Sequence, residues 1–515
     1  MDKSALHDKR TGLIALCSFA WGIIAHGMAL FNKYSYHDDV PWFNGVGETY
    51  GLGRWALGAS GDITEFLFQS RNYSIPVFNG ILTIAAVAAI VYILCKKLRI
   101  YDRYLIIALT GVMICFPAVT NIFGYVFTAP YYYIGALAGI AGAYLYYRYR
   151  NVPSFIVCTV LMAFSTGLYQ SNISINLMVL LLFMLEEVYT SDEKWKDYIV
   201  LALKNVLICI CFMAEYFAVN TVFLKVKGQS MYDYKGVNSF GKTDIAGYFY
   251  RVYTAYKRFI KPADFINYNG VSANMFPWNL KYLHMILVAA VLVVIFLVLR
   301  TDGIGRKTVQ IGLITVISPL FAYFIYVMVA EEDAHGGMAY GEVFMFALAA
   351  FFIQRAIDRK IAVPYGKYLT GACTVIMLIM GIMFARFANV CYLKAEIMQA
   401  EAISYYDCLI TRIQMTEGYT PSTPIHYVEP RSKDDSSLKG TQLFDPIYLP
   451  PYQGNSIIND FAWEDTMNMW CGFSRVEADA DAVDALSGEI KAMPVYPADG
   501  SVKMFGDTLV VKFSD

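Results

Sequence analysis

Residues 153–188 read PSFIVCTVLMAFSTGLYQSNISINLMVLLLFMLEEV, an apolar run of 36 residues broken only at Gly167-Leu168-Tyr169-Gln170-Ser171-Asn172. A spanning helix needs about 20 mostly apolar residues, because the hydrocarbon layer is about 30 Å thick and each helical residue rises about 1.5 Å. The stretch is too long for one span and suits two, joined by a tight hairpin; a re-entrant pair is the alternative. Working outward, the same test marks spans at 11–31, 75–95, 104–120, 130–147, 153–169, 172–188, 203–224, 282–300, 308–330, 340–355 and 367–388. The fold class is therefore an α-helical polytopic membrane protein with about eleven transmembrane helices.

Composition agrees. The chain is 57% hydrophobic and only 16% charged, with a mean hydropathy of +0.44, a balance that belongs to the membrane class. A formal net charge of -1 leaves no basic surplus, which excludes nucleic acid as a partner, since its phosphates demand clustered Lys and Arg. Seven of the ten cysteines lie in apolar stretches, where a thiol serves as a small buried hydrophobe. No CxxC or Cys/His zinc spacing occurs. Interfacial belts absorb many of the 40 Tyr and 34 Phe, and the remainder are available to line a sugar site.

Short loops on the cytoplasmic side keep Lys and Arg. The basic ends Lys3/Lys9/Arg10, Lys96/Lys97/Arg99/Arg103, Arg148/Arg150, Lys194/Lys196/Lys204, Arg300/Arg306/Lys307 and Arg355/Arg359/Lys360/Lys367 fall at alternate connections, and 121–129, 169–172 and 331–339 contain neither residue. This predicts a cytoplasmic N-terminus and an extracytoplasmic C-terminus. The first apolar run ends in Phe31-Asn32-Lys33-Tyr34 with no small-x-small cleavage pattern and reads as a retained anchor.

Residues 1–388 thus form a transmembrane domain with outward loops 32–74 and 225–281, and 389–515 an extracytoplasmic domain. From Cys391 to Met415 the pattern reads as a helix leaving the membrane; Pro-rich turns and short strand-like runs ending in Thr508-Leu509-Val510-Val511-Lys512-Phe513 follow. That predicts a small α/β domain with a modest core. Cys408 and Cys471 both lie in it, as a disulfide or as free thiols.

The first outward loop carries Tyr34-Ser35-Tyr36-His37-Asp38-Asp39 and then Gly51-Leu52-Gly53-Arg54-Trp55. Adjacent carboxylates repel each other and are costly to desolvate, so the pair suits a general base or a divalent cation such as Mg2+ or Mn2+; a solvated turn is the plainer reading. Arg54 is either functional or a cation snorkelling to lipid phosphate.

With these residues in view, the sequence resembles the bacterial type II glucosyltransferase domain family of O-antigen conversion, membrane enzymes similar to the C-type glycosyltransferase fold. The matching features are Asp38-Asp39 after the first span, Gly53-Arg54 in the same loop, and Gly167-Leu168-Tyr169-Gln170-Ser171-Asn172-Ile173-Ser174 at the hairpin. The resemblance implies transfer of glucose or a related hexose from a polyprenyl-phosphate donor to a glycan acceptor outside the bacterial cytoplasmic membrane. In it, one of Asp38 and Asp39, with Asp38 preferred, is base to the acceptor hydroxyl during inverting displacement, and the other orients it or holds a metal. Arg54 first, and Arg71 second, offset the charge on the leaving polyprenyl phosphate. Tyr169 and Gln170 either hydrogen-bond sugar hydroxyls or satisfy a sharp backbone bend.

Three further features accompany these. Glu215, mid-span, calls for a structural partner or a polar cavity. Ile245, Phe249, Val252, Tyr256 and Phe259 recur at helical spacing with Arg251, Lys257, Arg258 and Lys261 nearby, which predicts a basic amphipathic helix in the headgroup layer, with or without contact to substrate. Glu331-Glu332-Asp333-Ala334-His335 is an acidic cluster, solvated or cation-binding. A flippase for lipid-linked glycans is the rival class, and it expects midplane charges and internal repeats that the chain mostly lacks.

Overall fold

The computed structural model describes residues 3–34, 37–191, 195–232, 243–262, 265–266, 272–273, 276–301, 306–330, 334–359, 366–428 and 462–514. They divide into two compact units, one of residues 3–33 and 44–391, the other of residues 34–43, 392–428 and 462–514.

The first unit is helical: α1 (Lys3–Phe31), α2 (Trp55–Phe68), α3 (Pro76–Lys97), α4 (Arg103–Cys115), α5 (Pro117–Ile122), α6 (Ala129–Tyr149), α7 (Val152–Leu168), α8 (Asn172–Thr190), α9 (Trp195–Lys227), α10 (Ile245–Ile260), α11 (Leu280–Thr301), α12 (Arg306–Ala322), α13 (Ile325–Met328), α14 (Phe344–Asp358) and the start of α15 (Gly366–Met415). A small ladder pairs β1 (Phe265–Ile266) with β2 (Ser272–Ala273). Among the described residues, eight helices are long and apolar enough to cross a membrane: Arg10–Phe31, Pro76–Lys97, Arg103–Ile122, Asn172–Thr190, Trp195–Lys227, Leu280–Thr301, Gly336–Asp358 and Gly366–Met415. The other three expected spans fall on α6, which is rich in tyrosine, and on the shorter α7 and α12.

Local signals set the helix ends. Asp102 caps α4, its carboxylate accepting from the Tyr104 and Leu105 amides at 3.0 Å. Asn151 and Ser154 close a capping box on α7. The hairpin predicted from 153–188 is present, with α7 ending at Leu168 and α8 starting at Asn172. Where α3 and α8 end, Glu186 is buried between Lys97 Nζ and Arg99 Nε, each at 2.9 Å, and Glu187 pairs with Arg150 at 2.6 Å. A carboxylate so placed requires its cations, which accounts for the basic residues at these connections. Within the unit, α4 and α14 are buried almost throughout, while α9 and α11 bury only a minority of their residues.

The helix α10 departs from expectation. Ile245, Phe249, Tyr253 and Ile260 are exposed, whereas Arg258 is buried and Arg251 donates to the Val327 and Met328 carbonyls at 3.2 Å. Arg251 and Arg258 therefore face protein rather than headgroups: Arg251 answers the last carbonyls of α13, which need donors, and Arg258 lies 5.9 Å from the Tyr326 ring centre.

The second unit is built on a four-stranded sheet ordered β4-β3-β6-β5, from β3 (Pro424–Val428), β4 (Val476–Glu477), β5 (Val502–Phe505) and β6 (Thr508–Lys512), with α16 (Trp463–Cys471), α17 (Ala480–Ala485) and α18 (Ser487–Lys491). β3 is parallel to β4 and β6, and β5-β6 is an antiparallel hairpin. Met398, Ala402, Tyr406, Leu409 and Ile413 of α15, spaced on one helix face, pack with Ile425, Trp463 and Leu509. At 50 residues α15 is about 75 Å long, far more than a bilayer holds. The thiols of Cys408 and Cys471 are free. Burial, with Asp407 beside it, pushes the Cys471 thiol up to about 11.

Candidate functional site

The loop after α1 tightens into one 3-10 turn, Tyr50–Leu52, which ends at Gly53 with φ 75°. Only glycine enters that region without strain, and space makes the same demand: a Cβ on Gly53 would lie 2.6 Å from the Tyr216 hydroxyl and 3.1 Å from Gln170 Nε2. Those two side chains pin the turn. Tyr216, from α9, donates to the Gly53 carbonyl at 3.0 Å. Gln170, from the α7–α8 hairpin, donates to the Leu52 carbonyl and, at 3.4 Å, to the Tyr216 hydroxyl.

The turn delivers Arg54 at the start of α2. Its Nη1 donates to the Tyr132 hydroxyl at 3.1 Å, and its guanidinium carbon lies 5.9 Å and 5.6 Å from the ring centres of Tyr132 and Tyr169. Those rings stack with centroids 4.0 Å apart. A cation over ring faces gains electrostatic attraction without losing its charge. Behind it, Trp55 stacks on Phe223 at 5.8 Å, and Gly167 leaves room for the Trp55 ring, which a Cβ there would meet at 2.5 Å.

Arg54, Leu52, Tyr169, Gln170, Met213 and Tyr216 line one cavity together with Ile325, Met328 and Met338. It is mostly apolar with a guanidinium and an amide among its lining groups, the make-up of a small-molecule site. A planar guanidinium held this way suits a phosphate or carboxylate, which it binds through paired N–H donors.

Beside this turn, Asp62 accepts from the Tyr50 hydroxyl at 2.6 Å and from Lys227 Nζ at 2.7 Å. Burial alone would raise its pKa, but the two hydrogen bonds and the ammonium charge hold the carboxyl below its ordinary range.

The hairpin and loop motifs thus converge: Arg54, Tyr169 and Gln170 share the cavity. Arg71 stands apart from it, 62% exposed and 3.9 Å from Glu65. Asp38 and Asp39 belong to the second unit, in the 3-10 turn His37–Asp39. Asp39 is wholly buried, Asp38 is partly buried, and both are engaged by polar partners. Desolvation on that scale removes the solvated-turn reading for Asp39. Among the described residues no group of three or more His, Cys, Asp or Glu is arranged to hold a metal ion. Glu331, Glu332 and Asp333 lie outside the described residues; His335 accepts from the Gly337 amide at 3.2 Å. Glu215 has the structural partner its position called for, the Thr159 hydroxyl at 2.8 Å.

Two site residues escaped the sequence reading. Tyr132 and Tyr216 sit in apolar helices among 40 tyrosines, and no local pattern separates them from packing residues. Only the stretch Tyr131-Tyr132-Tyr133 hints at one of them.

The sequence profile of the glucosyl transferase GtrII family matches residues 27–346, which take in the whole of this cavity. No curated protein and no solved structure matches the chain.

Proposed function

The chain belongs to the glucosyl transferase GtrII family, and on that premise we propose that it moves glucose or a related hexose from a polyprenyl-phosphate donor to an extracytoplasmic glycan at a bacterial cytoplasmic membrane. The observation that carries this reading is Arg54, framed by Tyr132 and Tyr169 in a largely apolar cavity that also presents Gln170. That is what a lipid-borne sugar phosphate calls for: a cation for the phosphate, aromatic and amide surfaces for the sugar, and apolar walls for the lipid end.

No nucleotide sugar is supplied outside the cytoplasm, so the activated hexose arrives on lipid. The acceptor hydroxyl oxygen attacks the anomeric carbon from the face opposite the phosphate. The bond from that carbon to the phosphate oxygen breaks, and its electron pair leaves with the polyprenyl phosphate. Asp38, or Asp39 in its place, takes the acceptor proton; this role rests on the sequence pattern of the loop alone. The same pair of carboxylates is the candidate holder of a divalent cation. Arg54 offsets the charge that grows on the leaving phosphate.

The test is to incubate purified protein with polyprenyl-phosphate hexoses and glycan acceptors, and to repeat with Asp38→Asn and Asp39→Asn singly. Transfer by the native protein and a loss of about 100-fold or more in one variant are expected. Full activity in both variants removes the aspartates from the mechanism. Lipid binding without transfer by the native protein favours a carrier.

A further inference from the structure

A second and larger cavity, of about 660 Å³, lies along the flank where α8, α9 and α12 meet. Its wall is aliphatic and aromatic, with Leu181, Ile199, Val206, Met213, Ile314 and Phe321 among the lining residues. Two polar side chains on it are turned to other tasks: the Asn205 amide donates to the Tyr147 hydroxyl at 2.7 Å, and the Tyr198 hydroxyl to the Ser191 carbonyl at 2.9 Å. Gln310, one turn into α12, is the third. Ile199, Val206 and Leu313 line the cavity and are also about half exposed, so it is a groove open on the side of the helices.

Two features of this groove identify its occupant. Trp195 and Met213 both line it; they are 18 residues apart on α9, so the groove runs about 27 Å along that helix. That is close to the roughly 30 Å of a hydrocarbon layer. Met213 also forms part of the wall of the Arg54 cavity, so the groove meets that cavity at one side chain. A long apolar channel that ends beside an anchored guanidinium matches a single hydrocarbon chain with a phosphate at its head.

We propose that the groove between α8, α9 and α12 holds the isoprenoid chain of the donor, with its sugar-phosphate end at Arg54; this rests on the lipid-donor reading above. The groove then contributes chain-dependent affinity in proportion to the apolar area covered. It makes the enzyme selective for carriers long enough to fill it.

The experiment compares two donors with the same hexosyl phosphate, one on a long polyprenyl chain and one on a two-isoprene chain, with native protein and with Val206→Trp and Leu313→Trp. Native protein is expected to prefer the long donor by about tenfold or more in kcat/KM, and each Trp variant to shrink that long-to-short ratio by about tenfold. The short donor reports whether each variant is folded. A photoreactive polyprenyl phosphate is expected to label α9 or α12, and unlabelled polyprenyl phosphate to displace it. Equal use of both donors by native protein, or labelling displaced only by phospholipid, overturns the groove assignment and leaves the transferase reading standing. Absence of transfer from either donor overturns that reading instead.

Discussion

Tyr132 and Tyr169 stack face to face, their ring centroids 4.0 Å apart and their planes 5° from parallel. One comes from α6 and the other from the hairpin after α7, so the platform beneath Arg54 exists only when those segments are packed together. Arg54 is in turn set by the Leu52–Gly53 turn and its anchors on the hairpin and α9.

Replacing Gly53 by alanine tests the turn. The left-handed backbone costs about 1–2 kcal/mol for a residue with a side chain, and the new methyl group would press on the Tyr216 hydroxyl. Gly53→Ala is expected to lower transfer by about 100-fold, because small displacements of a positioning group cost that much. The variant's activity is read beside its thermal midpoint in detergent. Native-like turnover would show that Arg54 does not depend on this turn.

Gln170 and Tyr216 hold adjacent carbonyls and contact each other, so their losses should not add. In a double-mutant cycle with Gln170→Ala and Tyr216→Phe, thermal unfolding is expected to give a coupling of about 1 kcal/mol. Strict additivity would mean that the two anchors act independently.

The Asp62–Lys227 contact gives a pH dependence with a definite sign. The folded pKa of Asp62 is held down, so its stabilisation is complete above the unfolded carboxylate value of about 3.9 and fades as pH falls through the folded value. The carboxylate is 53% exposed, which limits the effect to about 0.5 kcal/mol after solvent screening. Asp62→Asn should therefore unfold slightly earlier than native protein at pH 7, and the gap should close as pH falls through the folded value. A gap that stayed constant throughout acid titration would place the effect elsewhere.

Much of this arrangement was readable in the chain. The broken apolar run at 153–188 located the hairpin, and the hairpin carries Tyr169 and Gln170 to the cavity wall. Gly53-Arg54 stands out through the family resemblance, because an interfacial arginine alone reads equally as a cation snorkelling to lipid phosphate. Tyr132 and Tyr216 were not readable, since their roles depend on contacts 78 residues from Arg54 and 163 from Gly53, and apolar periodicity carries no such information. The inward turn of Arg251 is hidden for a related reason: helical spacing shows that a face is basic, while the carbonyls to which this arginine donates lie on another element. Charge alone nominates Arg71, and charge does not distinguish a surface cation from one held against stacked rings.

The central claim is that Arg54 stabilises the departing phosphate of a lipid-borne hexose. The most direct measurement is single-turnover transfer from a polyprenyl-phosphate hexose by native protein and by Arg54→Ala, with Arg54→Lys as the charge-preserving partner. The expected result is a rate lower by about 100-fold or more for Arg54→Ala, with partial recovery in Arg54→Lys, since lysine restores the charge but not the paired donors. A folded Arg54→Ala protein that transfers at the native rate would contradict it.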